Sequence, residues 1–252
     1  LAVVFGVPSI IILFFLAYPL LALALSVDPN LLGYAVKSTV AVKALMLTLE
    51  AATLSTVLLL VLGVPLAYVL ARYSFRGKRF VEALVDLPLV IPHAVVGIML
   101  LIAFGPRTSL GGLLESLGLV LESSFWAIVA VFTFVGAPLL VDSAKDGFAS
   151  VDPSLEGVAR SMGAGPARVF LTISLPLAAR SVLTGALLAW ARAMSEVGAL
   201  LIIAYYPKTI NVLVIEWFNT YGLGYAVALT AILLLISIAV FVILRMLLGW
   251  KH

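Results

Sequence analysis

The chain has 252 residues, of which 64% are hydrophobic and 11% charged, with a formal net charge of +3. Soluble domains carry about 45–50% apolar and about 25% charged residues, so a globule of this composition would have no polar surface to show to water. A soluble enzyme, a disordered chain and a fibrous protein are excluded, and the long continuous apolar runs exclude the alternating strands of an outer-membrane barrel. What remains is an all-α integral membrane protein, read as a single transmembrane domain over 1–252. There are no cysteines, hence no disulfide, thiolate metal site or thiol nucleophile. The two histidines, His93 and His252, are too few for a multi-histidine metal site.

A helix crosses the hydrocarbon core with about 20 apolar residues, and six stretches satisfy this. The first, about 3–26, contains Pro8 and Pro19; it is too long for a signal-peptide core and reads as a retained span. The second is about 45–71, with Glu50 near its start, and the third is about 81–104, interrupted by Pro88 and Pro92. The link 105–124 carries Leu110, Leu113, Leu114 and Leu117 at helical spacing, as in a short helix lying in the membrane interface. The fourth span is about 125–141. The fifth, about 175–204, contains Arg192 and Glu196. Tyr205, Tyr206, Trp217, Phe218, Tyr221 and Tyr225 crowd the next link, either as an interfacial aromatic belt or as a docking surface for an outside partner. The sixth span is about 226–248.

Basic residues orient these spans. The link between spans two and three holds Arg72, Arg76, Lys78 and Arg79, and the link between four and five holds Lys145, Arg160 and Arg168, with Arg180 just beyond. The alternate links are poorer: Lys37 and Lys43 in the first, Arg107 in the third, Lys208 in the fifth. The charged links are therefore expected in the cytoplasm. Six spans then place both termini there, as Arg245 and Lys251 suggest, in a multi-pass protein of the cell membrane.

The link 142–174 is too ordered in its signals for a tether. Asp152 suits a helix N-cap and Pro153 a first helical residue. Leu155, Val158, Ala159 and Met162 then share one face, and Gly163 is a C-terminal stop. Gly165-Pro166 opens a second short helix, expected over 167–173, before Leu175-Pro176 begins the fifth span. The expected shape is a compact cytoplasmic knob of two short helices at an angle.

Gly163, nine residues, then Ile173-Ser174-Leu175-Pro176 resembles the signature loop of ABC importer permeases. Ala159 matches that signature's second alanine, whereas Glu156 stands one residue before its glutamate position. The run 86–97, Asp-Leu-Pro-Leu-Val-Ile-Pro-His-Ala-Val-Val-Gly, is similar to the third-span motif of sulfate and molybdate permeases, and Trp190 to Ala199 to their fifth-span motif. Ile-Pro-His together with the run 202–207 looks closest to the archaeal molybdate/tungstate branch. The resemblance implies a type I ABC importer permease fold. It implies a knob docked on a separate ATPase through Leu155, Glu156, Ala159, Met162, Gly163, Arg168 and Phe170. It further implies two copies of this chain, two ATPase subunits that bind ATP and Mg, and an external oxyanion-binding protein. The transported species would be molybdate or tungstate, moved by alternating access; a sulfate or thiosulfate permease of the same family is the alternative, and a gradient-driven secondary transporter the more distant one. A second copy of Leu-Pro-Leu with a glycine eight residues on, at Leu87 and again at Leu175, is a faint internal echo.

Arg192 and Glu196 stand one turn apart inside the fifth span. An ionised side chain at mid-membrane costs at least about 2.5–3.5 kcal/mol, so the two are expected to neutralise each other. Two readings stand: a structural pair that fixes packing, or a guanidinium beside an oxyanion path with Glu196 limiting its grip. His93, after Pro92 in the broken third span, is either a packed core residue or a polar lining of that path. There is no His-Glu-x-x-His, no Gly-x-Ser-x-Gly and no Gly-x-x-x-x-Gly-Lys-Ser/Thr, so neither an intramembrane enzyme nor ATP hydrolysis by this chain is expected. Nothing suggests nucleic acid.

Overall fold

The computed structural model describes residues 2–249; Leu1, Lys251 and His252 lie outside the described residues, as does the side chain of Arg245. In chain order the helices are α1 (Ala2–Leu25), α2 (Pro29–Lys37), α3 (Thr39–Arg72), α4 (Lys78–Val90), α5 (His93–Phe104), α6 (Ser109–Ser116) and α7 (Phe125–Ser150). There follow α8 (Pro153–Ser161), α9 (Pro166–Val169), a wide π-helical turn (Phe170–Ser174), α10 (Leu175–Met194), α11 (Leu200–Ile203), α12 (Ile210–Tyr221) and α13 (Leu223–Gly249).

The centre of the molecule is α3, α7 and α10. The buried face of α3 runs Ala44, Thr48, Ala52, Ser55, Leu59, Gly63, Ala67, a row of mostly small residues three or four apart. Lipid chains are as apolar as the helices, so association rests on close contact, and small residues permit it. The α7–α10 seam shows the same device. A β-carbon at Gly185 would lie 3.1 Å from the Leu140 backbone, and one at Gly147 would lie 2.4 Å from the Ser181 side chain. Ser143 Oγ donates to the Ser181 carbonyl across that seam at 2.8 Å. Phe132, Ile128 and Phe148 on α7 are fully enclosed.

Among the described residues, five helices, or helices joined end to end, are long and apolar enough to cross a membrane: 6–25, 39–72, 125–150, 166–194 and 223–243. The expected third span is not one helix. Pro92 removes a donor and disfavours helix at Ile91, so α4 ends at Val90 and α5 begins at His93; α5 then bends by 76° into α6. The short helix expected in 105–124 is α6. The fifth span also ends early, at Met194, with a break before α11. The fourth extends well beyond Val141, to Ser150. Of the α1 window that qualifies as a span, nothing is buried against the rest of the chain.

The aromatic cluster divides. Trp217 is buried, stacking edge-on against Tyr225 and Tyr221 and tilted against Tyr34, so it cements α12 to α2 and α13. Tyr205, Tyr206, Phe218 and Tyr221 stay exposed.

Candidate functional site

Two constellations stand out, one at each end of α10. At its start lies the knob. Asp152 accepts the Ser154 N–H at 2.8 Å and Pro153 opens α8, as the capping signals require. The helix ends in a Schellman-type turn: Ala164 N–H donates to the Ala159 carbonyl and Gly163 N–H to that of Arg160. Gly163 has φ +87°. The second short helix expected over 167–173 does not stand alone. Pro166–Val169 runs through the π-helical turn into α10, making one continuous element, 166–194. No residue type between Pro166 and Leu175 interrupts a helix, and Pro176, interior to the run, follows directly on the wider π-helical turn, whose looser winding leaves room for its ring.

On α8, Leu155, Val158 and Met162 face outward, Met162 being 83% exposed. Ala159 is half-buried, Arg168 is exposed, and Phe170 turns inward onto Tyr68 and Phe148. Glu156 likewise points into the bundle and is 4% exposed. Its Oε1 accepts from Arg72 Nε and Ser174 Oγ, both at 2.8 Å, while Oε2 accepts from Tyr68 at 3.1 Å and sits 3.4 Å from Arg160 Nη2. Arg72 Nη2 also donates to the Val151 carbonyl at 2.8 Å. One carboxylate thus joins α8 to the end of α3, to the π-helical turn and, through Arg72, to the end of α7. Being one residue early places it a further 100° around the helix, on the inner face, while Gly157 is exposed. Burial alone would push the Glu156 carboxyl up; the hydrogen bonds from Ser174 and Arg72, with the Arg72 charge, outweigh burial and hold it below its usual range. Arg72 and Ser174 were visible in the sequence only as a topology charge and part of Ile-Ser-Leu-Pro; nothing there pointed to their meeting at Glu156.

At the far end of α10, the Arg192–Glu196 pair is made, Nη2 to Oε2 at 2.8 Å, and His93 completes it. His93 Nδ1 is 2.6 Å from the same Oε2, and Arg192 Nη2 lies 2.7 and 3.1 Å from the two imidazole nitrogens. Glu196 Oε1 accepts the Ala199 N–H at 3.0 Å, so the carboxylate also ties down the residue that precedes α11. Asn211 donates to the Met194 and Glu196 carbonyls left free by the break. Pro92, as the residue before α5, brings His93 there, and Gly198 and Gly97 let the two broken helices meet: β-carbons at these glycines would lie 2.7 Å from His93 Cβ and 2.5 Å from the Ala199 oxygen. Among the described residues, no group of three or more His, Cys, Asp or Glu is placed to hold a metal ion.

A family model described as "binding-protein-dependent transport system inner membrane component" matches residues 63–250. The chain is 52% identical over 202 residues to the molybdate/tungstate transport system permease protein WtpB of Pyrococcus furiosus, covering 80% of this chain and 76% of that one. To WtpB of Pyrococcus abyssi it is 46% identical over 224 residues, 89% of this chain and 85% of that one. In fold it resembles a bacterial ABC transporter that imports the acidic polysaccharide alginate, with a TM-score of 0.75 at 17% identity, over 99% of this chain and 95% of that one. The chain therefore belongs to the family of binding-protein-dependent inner-membrane components, and it is a multi-pass permease subunit with the ABC importer fold.

Gly163→Val tests the turn between α8 and α9. Space is open around Gly163, so the penalty is the left-handed backbone alone, about 1–2 kcal/mol. The expected result is normal membrane insertion with α8 tilted, and several-fold less ATPase recovered with the permease on co-purification. Undiminished recovery and undiminished uptake would exclude a coupling role for the turn.

Proposed function

We propose that this chain is the permease subunit of an ATP-driven importer of molybdate and tungstate. The observation that carries the reading is the 52% identity, over most of both chains, to a permease named for these oxyanions. Two copies form the path, with two ATPase subunits under α8 and an external oxyanion-binding protein at the opposite face. ATP and Mg belong to the ATPase partners. The outward apolar face of Leu155, Val158 and Met162 suits a groove on the ATPase, and Arg168 is exposed on the next short helix. Glu156 and Phe170 act behind that face by fixing α8 to the bundle. A rigid attachment of this kind passes a movement of α8 into α3, α7 and α10, as alternating access requires. Both termini and 72–79 lie in the cytoplasm in this reading, so that Thr108 is outside.

The test is reconstitution of the permease with its ATPase and binding protein in vesicles. ATP-dependent accumulation of tungstate and molybdate, with sulfate a poor competitor, is the expected result. Sulfate uptake in preference would move the chain to a sulfate permease, and accumulation driven by an ion gradient without ATP would overturn the importer reading. A Thr108→Cys protein, otherwise free of thiols, should label from outside in intact cells.

A further inference from the structure

We propose that Arg192, His93 and Ser195 form a transient binding station for the transported tetrahedral oxyanion, with Glu196 as a built-in anion that the substrate displaces from the guanidinium. The inference rests on the import reading above. Its basis is an asymmetry of burial. Here the Glu196 side chain is 0% exposed, whereas that of Arg192 keeps 21% and that of His93 49%. The carboxylate lies behind, while the guanidinium, the imidazole and the Ser195 hydroxyl keep exposed edges.

The donor set fits the ligand. Arg192 Nη1 lies 3.4 Å from the Ser195 hydroxyl, which is exposed and donates to the Arg192 carbonyl at 2.9 Å. Ser195 also lines a cavity of about 460 Å³ between α10 and α13, to which Asn211, Thr230 and Ser237 contribute polar groups in an otherwise apolar wall. A planar guanidinium beside hydroxyls matches an oxyanion that offers only acceptors. Glu196 sets the strength. Without it, an unpaired arginine in a low-dielectric site would be costly to bury and would hold a dianion too tightly to release. With it, the anion competes for Nη2, and the displaced carboxylate keeps its Ala199 N–H. Because these groups sit where the breaks before α5 and α11 meet, a shift of either broken helix changes how much of the guanidinium is offered.

The experiment places one thiol at the station by Ser195→Cys in this cysteine-free chain and uses the complete transporter in vesicles. The probes are sulfonate-bearing and trimethylammonium-bearing methanethiosulfonates. The expected preference for the negative reagent is at least about tenfold greater than in the same protein carrying Arg192→Gln and Glu196→Gln, as charge steering of a small ion predicts. Millimolar tungstate should slow labelling by about tenfold, the occupancy effect of ligand at about nine times its Kd. Arg192→Lys, which keeps the charge and loses the fork, should weaken that protection several-fold and serves if the double variant does not assemble. Equal reagent preference in both backgrounds with no protection by tungstate, while the parent complex takes up tungstate, would overturn the station. Protection by sulfate alone, in a complex that imports sulfate and not tungstate, would support the station and overturn the substrate assignment.

Discussion

Glu156→Ala should leave the permease inserted and able to bind its ATPase, yet lower ATP-driven uptake by at least about tenfold, because the substitution strands Arg72 and loosens α8. Removing one partner of a buried ion pair costs about 3–5 kcal/mol, and Arg72 retains only 10% of its side-chain exposure. The loss is local. α3, α7 and α10 are held by their own small-residue seams, whereas α8 has its outer face exposed and depends on this carboxylate for its inner attachment. The ATPase should therefore hydrolyse ATP at close to the parent rate while transport falls, and the ratio of the two is the quantity to measure. Glu156→Gln keeps acceptors for Ser174 and Arg72 without the charge and should fall between. Acid should imitate the alanine variant. The folded-state carboxyl lies below its usual range, so its stabilisation is complete at neutral pH and disappears only as pH falls through that lowered value. Unchanged coupling in the alanine variant would show that α8 is held by other contacts.

The second large effect belongs to Arg192. Arg192→Ala leaves the fully buried Glu196 without its cation and should cost about 3–5 kcal/mol, seen as a severe loss of assembled permease in detergent. Adding Glu196→Ala removes the orphaned charge and should restore much of that assembly. Uptake should remain low in the double variant, since the exposed guanidinium edge is gone. Recovery of both assembly and uptake would make the pair purely structural. Equal assembly and uptake in all three proteins would remove it from the account.

The spans, the α8 cap at Asp152, the stop at Gly163 and the Arg192–Glu196 pair were legible in the sequence because each is local: a run of apolar residues, a cap, a glycine, an i, i+4 spacing. Where expectation and structure part, the deciding contact is distant in the chain. His93 reaches Glu196 across 103 positions, and Arg72 reaches Glu156 across 84. No periodicity encodes such a meeting. The two-helix knob was expected from Gly165-Pro166, but a proline at a first helical position starts a helix without limiting its length. Trp217 reads as one more interfacial aromatic until α2 and α13 close around it. The internal echo at Leu87 and Leu175 leads to unlike structures, a helix that stops within three residues and one that continues for a further 19.

The unbroken run 166–194 has a mechanical meaning. At 1.5 Å per residue its 29 residues make a rod of about 40 Å, with α8 beside one end and the Arg192–Glu196 pair at the other. Pivoted at the docking end, a rotation of about 5° sweeps its tip through about 3–4 Å, more than the reach of a hydrogen bond. In the proposed importer, a few degrees of closure in the ATPase are thus enough leverage to make or break contacts at the tip, and no large excursion of the rod is needed. The weak point of such a lever is the widened turn at 170–174, where one loosely wound loop could absorb the stroke. Ser174, clamped to Glu156 within that loop, stiffens the lever where slack would waste the stroke.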